Sequence, residues 1–486
     1  MMEHSRNQNA LAFIVFSVFI VLSFGFWRWT DWSIEDGLIV ARIARNFSSY
    51  GVLSYNPGQW ISSSTSFLFA LFVGSLAKLG IPALIASKAT GIVAAAATGG
   101  LLYRDARAQT TQNWRFLAPA FYLFLPTTVA YSVCGLETPV YAFFCAASLF
   151  SFSEKRYSAA FILAALAATI RPDGILVLGI VAAFTFCTPN VSLRQKWMGC
   201  CIAGLILVAY FGIHYWIYKT WFPQTVAAKA GGYHVHAIQN SHRYLHQMFL
   251  AQPWGLPFYG LAFAGVFQAI QRRSSSLILA VWYVIYHLAF MLRAPLFDWY
   301  LQPPTFVIAY FASLAVMKLI KTIEFSPPSL LRSREVLMPW FVLGLAVMFG
   351  FSFNFFYGRG KLKNRVYERE VRESAGRWLK EHTRPRDLVF TESLGYIGYY
   401  TDNIFVDWPG LVAPGVSVLV RGVPRVQAYQ KIIEFKKPSY LALRDHEWKS
   451  LFDKLHSSYQ LAADFPASDS HAGPGYVILQ RKMARL

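Results

Sequence analysis

The chain has 486 residues and a net charge of +20, and 55% of its residues are hydrophobic while only 14% are charged. Several apolar runs approach the ~20 residues that a membrane-spanning helix needs, which excludes an ordinary soluble protein. The excess of basic residues indicates cytoplasmic loops and contact with the lipid bilayer rather than nucleic acid, because no aromatic–basic nucleic-acid module is present.

Eleven transmembrane helices are predicted. The first apolar run lacks a strongly basic start and a small-residue cleavage site, so we interpret it as a retained helix rather than a signal peptide. The positive-inside rule places basic loops in the cytoplasm at residues 103–115, 153–157, 189–196, 271–273 and 318–334. The resulting spans are residues 11–27, 83–102, 116–133, 136–152, 157–171, 174–188, 197–218, 251–270, 275–293, 299–317 and 336–357. The apolar run at 67–79 is predicted to be interfacial or re-entrant, since a twelfth span would break the charge pattern.

This topology places a first loop, residues 28–66, and the C-terminal region outside the cell. In the C-terminal region the pattern predicts an amphipathic helix over 364–381 and strands over 387–391 and 404–407. The region carries 21 Lys and Arg against 14 Asp and Glu, a net charge of +7 that suits contact with anionic headgroups. The predicted fold is therefore an all-α polytopic membrane domain, residues 1–357, followed by a small extracytoplasmic α/β domain, residues 358–486.

Two adjacent carboxylates, Glu35 and Asp36, begin an amphipathic helix in the first external loop. Such a helix, with one apolar and one polar side, lies along the membrane interface. The spacing from Ser33 to Asp36 matches a capping box, in which the acid only stabilises the helix start. Capping requires one acid, however, and Asp36 projects toward the apolar side. We therefore also predict a general base or a cation-binding group here.

Other predicted external loops carry charged residues as well. Glu137, in CGLETP, is either a helix-start charge or a second acid of the site. Arg171, in IRPDG, is either an interfacial arginine paired with Asp173 or a phosphate ligand. Lys229 and Arg293 lie in two further external loops, where each alone suits a headgroup contact. Three cations and several acids on one face indicate an anionic lipid as substrate.

A metal site has weaker support in the sequence. His234 and His236 form an H-x-H pair that binds a metal when it lies on one strand, but a solvated loop is the simpler interpretation. The sequence contains no H-E-x-x-H, P-loop or G-x-S-x-G motif in a suitable context. The sequence therefore indicates no particular cofactor, and we leave assistance by a divalent cation open.

The stretch EDGLIVARIARNFSSYGVLSYNPGQWISSSTSFLFAL resembles the first external loop of GT-C membrane glycosyltransferases, and most closely the branch with the mycobacterial terminal arabinofuranosyltransferases. The positions that match this loop are Glu35, Asp36, Arg42, Ala44, Arg45, Asn46, Gly51, Leu53, Asn56, Pro57, Gly58 and Thr65. Further similarities follow in chain order, at Gly135–Pro139, Arg171–Gly174, Phe222–Thr225 with Lys229, Gly395–Tyr400, Asp407 and Gly410–Leu411. The chain departs from the pattern at Glu35, Gly37, Gln59 and Gln224, where the family has Asp, Ala, Glu and Asn.

The resemblance implies an inverting glycosyltransferase in the bacterial plasma membrane. Its donor would be a polyprenyl-phosphate sugar, carrying arabinofuranose or another pentose or hexose, and its acceptor a cell-envelope glycan or glycolipid on the external face. Asp36 is the predicted base, and Glu35 orients the acceptor or shares that role. The predicted substrate-binding residues are Arg42, Arg45, Asn46, Asn56, Thr65, Glu137, Arg171, Lys229, Arg293 and Tyr300.

Two other functions remain open from the sequence. A lipid transporter or flippase should carry ionisable residues mid-helix near the bilayer centre, often in repeated halves. Here the acids cluster at one face and the apolar spans are nearly free of charge, which favours interfacial chemistry. A non-catalytic scaffold with the same frame is disfavoured only by the retention of both acids.

Overall fold

The computed structural model describes residues 2–109, 114–232, 237–250, 255–293, 297–323, 331–468 and 473–482. A helical region comes first in the chain, and a small sheet with its own helices follows it. His234 and His236 lie outside the described residues, so the predicted H-x-H pair stays a prediction.

The helices of the first region differ widely in length. They are α1 (Met2–Thr30), α2 (Glu35–Tyr50), α3 (Phe67–Lys78), α4 (Ala83–Gln109), α5 (Leu117–Leu123), α6 (Pro126–Ser132), α7 (Thr138–Ser153), α8 (Tyr157–Ile170), α9 (Gly174–Cys187), α10 (Leu193–Tyr218), α11 (Gln224–Gly232), α12 (Ala237–Phe249), α13 (Gly255–Gln271), α14 (Leu277–Arg293), α15 (Thr305–Ile323) and α16 (Leu331–Glu368).

Five of the described helical stretches are long and apolar enough to cross a membrane, and five shorter apolar helices accompany them. The long stretches are Asn9–Thr30, Ala83–Ala106, Leu193–Tyr218, Thr305–Thr322 and Leu337–His382. On α10, large apolar side chains such as Val208 and Trp216 are more than two-thirds exposed, as expected for side chains that face lipid. The chain is a multi-pass membrane protein of mostly helical structure. The number of spans, eleven, stays a prediction.

Two predicted helices have different boundaries in the structure. The predicted span 116–133 is two short helices, α5 and α6, because Pro126 begins a new helix and the preceding Leu125 is extended, as residues before proline prefer. In contrast, α3 has only 12 residues, or ~18 Å at 1.5 Å per residue, and is too short to span a bilayer core of ~30 Å. Its length fits the prediction of an interfacial or re-entrant segment.

The predicted span 336–357 and the predicted helix 364–381 are joined without a loop. The helix α16 runs into a π-helical turn, Arg369–Glu373, and continues as α17, Ser374–His382. The proposed domain division at residue 357 therefore falls inside a continuous helix.

The C-terminal sheet has five strands in the order β2-β1-β3-β5-β4. Its elements are β1 (Leu388–Thr391), α18 (Tyr396–Tyr399), β2 (Ile404–Asp407), α19 (Pro414–Leu419), α20 (Arg425–Lys436), β3 (Tyr440–Arg444), α21 (Asp445–Leu455), β4 (Tyr459–Phe465) and β5 (Tyr476–Arg481). Strands β2, β1 and β3 are parallel, whereas β5 is antiparallel to both β3 and β4. The two strands predicted from sequence are confirmed as β1 and β2.

The helix α2 lies between the membrane region and the C-terminal domain. It packs on α3 and α4 on one side and on α18 on the other. The helix was predicted to lie along the membrane interface, but its polar side is covered by protein: Arg42 and Asn46 are fully buried. This placement brings the start of α2 to the boundary between the two regions.

Candidate active site

The start of α2 is held against the turn that precedes α7. The backbone N–H of Ile34 donates to the carbonyl of Cys134 at 3.1 Å, and the helix begins at Glu35 with Ile34 as its N-cap. No side chain caps this helix, so the predicted capping box from Ser33 to Asp36 is not formed. A Cβ on Gly37 would lie 2.7 Å from the Cys134 carbonyl oxygen. Glycine at this position, a departure from the family pattern, therefore permits the close approach of α2 to the turn that carries Glu137.

A cavity of about 560 Å³ opens beside this contact. It contains six of the residues predicted from sequence: Asp36, Thr65, Glu137, Arg171, Lys229 and Tyr300. It is also lined by Ile39, Val40, Ser63, Ser64, Ser66, Leu136, Pro172, Asp173, Thr225, Val226, Phe290, Phe297, Trp299 and Leu411. Residues that are far apart in the sequence thus converge on one space at the end of the membrane helices.

The two adjacent carboxylates have different surroundings. Asp36 lines the cavity, whereas Glu35 faces the C-terminal domain. The Glu35 carboxylate lies 2.7 Å from Nη1 of Arg372 and accepts the backbone N–H of Gly395. Burial raises the pKa of Glu35 to about 7, although Arg372 and the Gly395 N–H act in the opposite direction. Glu35 is therefore a contact between regions, and only Asp36 of the pair can meet a molecule in the cavity.

Arg171 is held between two carboxylates in the cavity wall. Its Nη1 lies 3.1 Å from Oε1 of Glu137, and its Nε lies 2.9 Å from Oδ1 of Asp173. All three side chains are largely buried, and the two acids hold the pKa of Arg171 well above its usual range despite the burial. The predicted pairing with Asp173 is thus confirmed, and the charge of Arg171 is already balanced within the protein.

Lys229 is the second cation of the cavity. Its Nζ lies 5.3 Å from the ring centroid of Phe297, and within the described ranges it forms no ion pair. Burial acts to lower the pKa of Lys229, but Tyr300 and Asp36 more than offset this and the pKa is raised. Lys229 thus stays charged, near Asp36, without a carboxylate partner that would neutralise it.

One wall of the cavity is rich in hydroxyl groups. Ser63, Ser64 and Thr65 contribute to it from the loop before α3. This loop is fixed from behind, because the ring of His214 lies 2.8 Å from Oγ of Ser62 and the N–H of Gln224 donates to the Ser62 carbonyl at 2.9 Å. The sequence analysis identified Thr65 here but missed the serines, whose run SSSTS after the Asn-Pro-Gly turn was the available signal.

The opposite wall is aromatic. Tyr300 lies in a short 3₁₀ turn, and its ring centroid is 5.2 Å from the guanidinium carbon of Arg171. Its neighbours Phe297 and Trp299 stack with ring centroids 4.5 Å apart, and both line the cavity. The sequence analysis included Tyr300 but not Phe297 or Trp299, which only the folded turn places beside it.

The C-terminal domain contributes Leu411 to the cavity. The carboxylate of Asp407, at the end of β2, accepts the backbone N–H groups of Gly410, Leu411 and Val412 at 3.0, 2.7 and 2.9 Å. Burial raises the pKa of Asp407 to about 6, although these three N–H groups act to lower it. Asp407 thereby holds the loop from which Leu411 reaches the cavity.

Four residues predicted to bind substrate contact the protein backbone instead. Arg42 donates to the carbonyls of Tyr55, Gly398, Thr401 and Asn403. Arg45 donates to the carbonyl of Tyr399, Asn46 to those of Ser54 and Tyr55, and Asn56 to that of Phe405. None of these four side chains lines the cavity. The motif they belong to therefore holds the first loop together and attaches it to the C-terminal domain.

Two predictions cannot be placed in the cavity. Arg293 ends α14, and its side chain lies outside the described residues. Among the residues that the structure describes, no group of three or more His, Cys, Asp or Glu side chains could hold a metal ion. Assistance by a divalent cation stays open.

Comparison with solved structures identifies the fold of this chain. ArnT from Cupriavidus metallidurans, in a structure bound to undecaprenyl phosphate, is similar over 97% of this chain and 98% of that chain, with a TM-score of 0.66 and 13% identity. An Archaeoglobus fulgidus oligosaccharyltransferase tethered to an acceptor peptide is similar over 96% of this chain and 74% of that chain, with a TM-score of 0.61 and 10% identity. This chain has the GT-C fold.

Sequence comparisons add little to this assignment. A family model described as a domain of unknown function, DUF8728, matches residues 362–479. A comparison with curated proteins finds no match. At these low identities the structural similarity establishes the fold, and the arabinofuranosyltransferase branch stays a prediction of the first-loop motif.

Proposed function

We propose that this protein is an inverting glycosyltransferase that takes a sugar from a polyprenyl-phosphate donor. The acceptor is a cell-envelope glycan or lipid at the external face of the bacterial plasma membrane. The observation that carries the proposal is the placement of Asp36 and Lys229 in one cavity at the end of the membrane helices. ArnT, which shares the fold, has been solved with undecaprenyl phosphate, a lipid phosphate of the class we propose for the leaving group.

In the proposed reaction Asp36 accepts the proton of an acceptor hydroxyl. The hydroxyl oxygen then attacks the anomeric carbon of the donor sugar as the bond between that carbon and the phosphate oxygen breaks. The electron pair of this bond leaves with the lipid phosphate, and Lys229 stabilises its developing charge. Because the attack is a single displacement, the anomeric configuration is inverted.

The surroundings of the other charged groups support this division of roles. Glu35 is engaged by Arg372 and the Gly395 N–H, so it orients the start of α2 rather than taking the proton. The charge of Arg171 is balanced by Glu137 and Asp173, so we propose that Arg171 stabilises the cavity wall. Lys229 is then the principal ligand of the phosphate. The hydroxyl wall and the aromatic wall suit a sugar, which presents hydroxyl edges and an apolar face. Arabinofuranose is the sugar that the first-loop motif favours.

The test is a transfer assay with purified protein and a panel of polyprenyl-phosphate pentoses and hexoses. Asp36→Asn should lower transfer by roughly 10²–10⁴-fold, the usual contribution of a general base. Glu35→Gln should retain more activity, and Asp453→Asn, an exposed carboxylate on α21, is the matched control. Full transfer by the Asp36→Asn protein would refute the proposed base. Movement of the donor lipid across the membrane without transfer to any acceptor would favour a flippase instead.

A further inference from the structure

A second cavity lies at the far end of the bundle from Asp36. Its volume is about 60 Å³, and it is lined by Gln268, Ala269, Arg272, Ser274, Ser276, Leu314, Met317, Lys318 and Lys321. Lys318 is 13 residues along α15 from Thr305, so about 20 Å of helix separates it from the end near Tyr300. The cavity therefore opens at the opposite membrane face, which the positive-inside rule predicts to be cytoplasmic.

Helix packing places two cations of this cavity, Arg272 and Lys318, at the same depth along the bundle. Helices α13 and α15 approach so closely that a Cβ on Gly265 would collide with the carbonyl oxygen of Phe311. Arg272 follows Gly265 by seven residues, and Lys318 follows Phe311 by seven residues. Seven residues are about two helical turns, so both cations emerge on the same side at the same depth. Glycine at position 265 thus fixes the register that pairs them.

The polypeptide between α13 and α14 completes the cavity with hydroxyl groups. The N–H of Ser274 donates to the Ala269 carbonyl at 3.0 Å, which turns the chain back into the cavity at the end of α13. Oγ of Ser274 lies 2.8 Å from Oγ of the buried Ser276, directly before the first residue of α14. The positive end of the α14 dipole is therefore added to three side-chain cations.

The cations of this cavity have no ion-pair partner among the described residues, and the nearby buried acid Asp105 lies behind Ser276, next to Tyr310. No acid is among its lining residues, and Arg272, Lys318 and Lys321 form no ion pair within the described ranges. Glu154, on the adjoining loop, is already engaged by Arg104 at 2.8 Å and Arg156 at 3.5 Å. Three cations without an ion pair in the described part of the chain, together with two hydroxyl groups, match the requirements of a phosphate group.

We propose that this cavity binds the phosphate of an anionic phospholipid in the adjacent leaflet. Lys318 and Lys321 are exposed at the lipid-facing end of α15, where a headgroup reaches them without leaving the membrane. Basic pockets between membrane helices on the cytoplasmic side commonly hold such headgroups. The site is separate from the proposed transferase cavity, so it can exist whether or not that proposal is correct.

The test uses native mass spectrometry of the full-length protein in detergent with an equimolar mixture of phosphatidylglycerol and phosphatidylcholine. The wild type should retain phosphatidylglycerol preferentially. The double variant Arg272→Gln/Lys318→Gln should bind it roughly 30-fold more weakly, from roughly fivefold for each cation. The control variant Lys155→Gln/Arg194→Gln removes two exposed cations of the same predicted face that do not line the cavity, and it should bind as the wild type does.

Two outcomes would overturn the proposal. Equal retention of phosphatidylglycerol by both double variants would show that any lipid binding follows the general surface charge. Complete displacement of phosphatidylglycerol from the wild type by inorganic phosphate, with tight binding of phosphate alone, would assign the cavity to a soluble phosphate compound rather than to lipid.

Discussion

Replacing Arg42 with methionine should loosen the attachment of the first loop to the turn between α18 and β2 of the C-terminal domain. The guanidinium donates to four backbone carbonyls, at 3.0 Å for Tyr55, 3.0 Å for Thr401 and 2.6 Å for Asn403, and also to Gly398. It also lies 4.3 Å from the ring centroid of Tyr55. Methionine replaces the aliphatic part of the side chain but leaves the carbonyls without these donors.

The expected cost is about 4 kcal/mol, from about 1 kcal/mol for each carbonyl that loses its donor. We use the lower end of the usual cost per unsatisfied carbonyl because the substitution also removes an unfavourable buried charge. Burial disfavours the charged form of Arg42 and lowers its pKa. The loss should appear as faster hydrogen exchange of the segment around Gly398–Asn403, by about 1,000-fold if opening is local.

The matched control is Arg45→Met, on the same helix. Arg45 is more exposed, donating to the Tyr399 carbonyl at 2.9 Å and pairing with Asp402 at 3.2 Å. Its removal should cost no more than about 1 kcal/mol, less than tenfold in exchange. Unchanged exchange in the Arg42→Met protein, together with weaker donor binding, would refute the structural role and restore Arg42 as a substrate ligand.

Three further predictions concern the start of α2 and the cavity beside it. Gly37→Ala places a Cβ 2.7 Å from the Cys134 carbonyl oxygen, so it should cost about 1–3 kcal/mol of stability and lower transfer. The control is Gly100→Ala, whose Cβ meets no atom within 4 Å and which should be neutral in the same thermal-stability and transfer assays. Lys229→Met should lower kcat/KM for the lipid-phosphate donor roughly 10- to 100-fold through loss of a charged hydrogen bond; an unchanged value in steady-state kinetics would remove Lys229 from the phosphate site. The pKa of Glu35 is about 7 in the folded protein, above its ordinary value of 4.5. Ionisation of Glu35 therefore costs folding stability, and this loss grows as the pH rises from 4.5 to 7 and is complete above 7. Relative to the wild type, Glu35→Gln should therefore gain stability across that pH range, and a constant difference between the two unfolding titrations would contradict the assignment.

The sequence predicted the membrane character of the chain and six residues of the cavity. Apolar runs and basic loops mark membrane helices strongly, and the external acids and cations are conspicuous in a chain with so few charges. The strands β1 and β2 were predicted because they are short apolar stretches surrounded by Asp-Asn and Pro-Gly turn signals. By contrast, β4 is exposed at three of its seven positions and only partly covered at three others, so it lacks a clean alternating pattern.

The roles within the first-loop motif required the folded structure. Glu35 and Asp36 are adjacent in the sequence, yet consecutive helical residues point about 100° apart, so one faces the cavity and the other faces Arg372. In the sequence, Arg42 resembles a polar-side residue of an amphipathic helix, because three of the four carbonyls that bind it come from more than 350 residues away. Local patterns carry no information about such partners.

The continuous helix from α16 to α17 gives this protein a mechanical link across its two regions. The 38 residues of α16 alone extend ~57 Å, and no flexible loop interrupts the path to Arg372 in the π-helical turn. Arg372 in turn holds Glu35, the neighbour of Asp36. One continuous helix thus connects the membrane region to the ion pair at the start of α2, and the position of Asp36 is tied to the orientation of that helix.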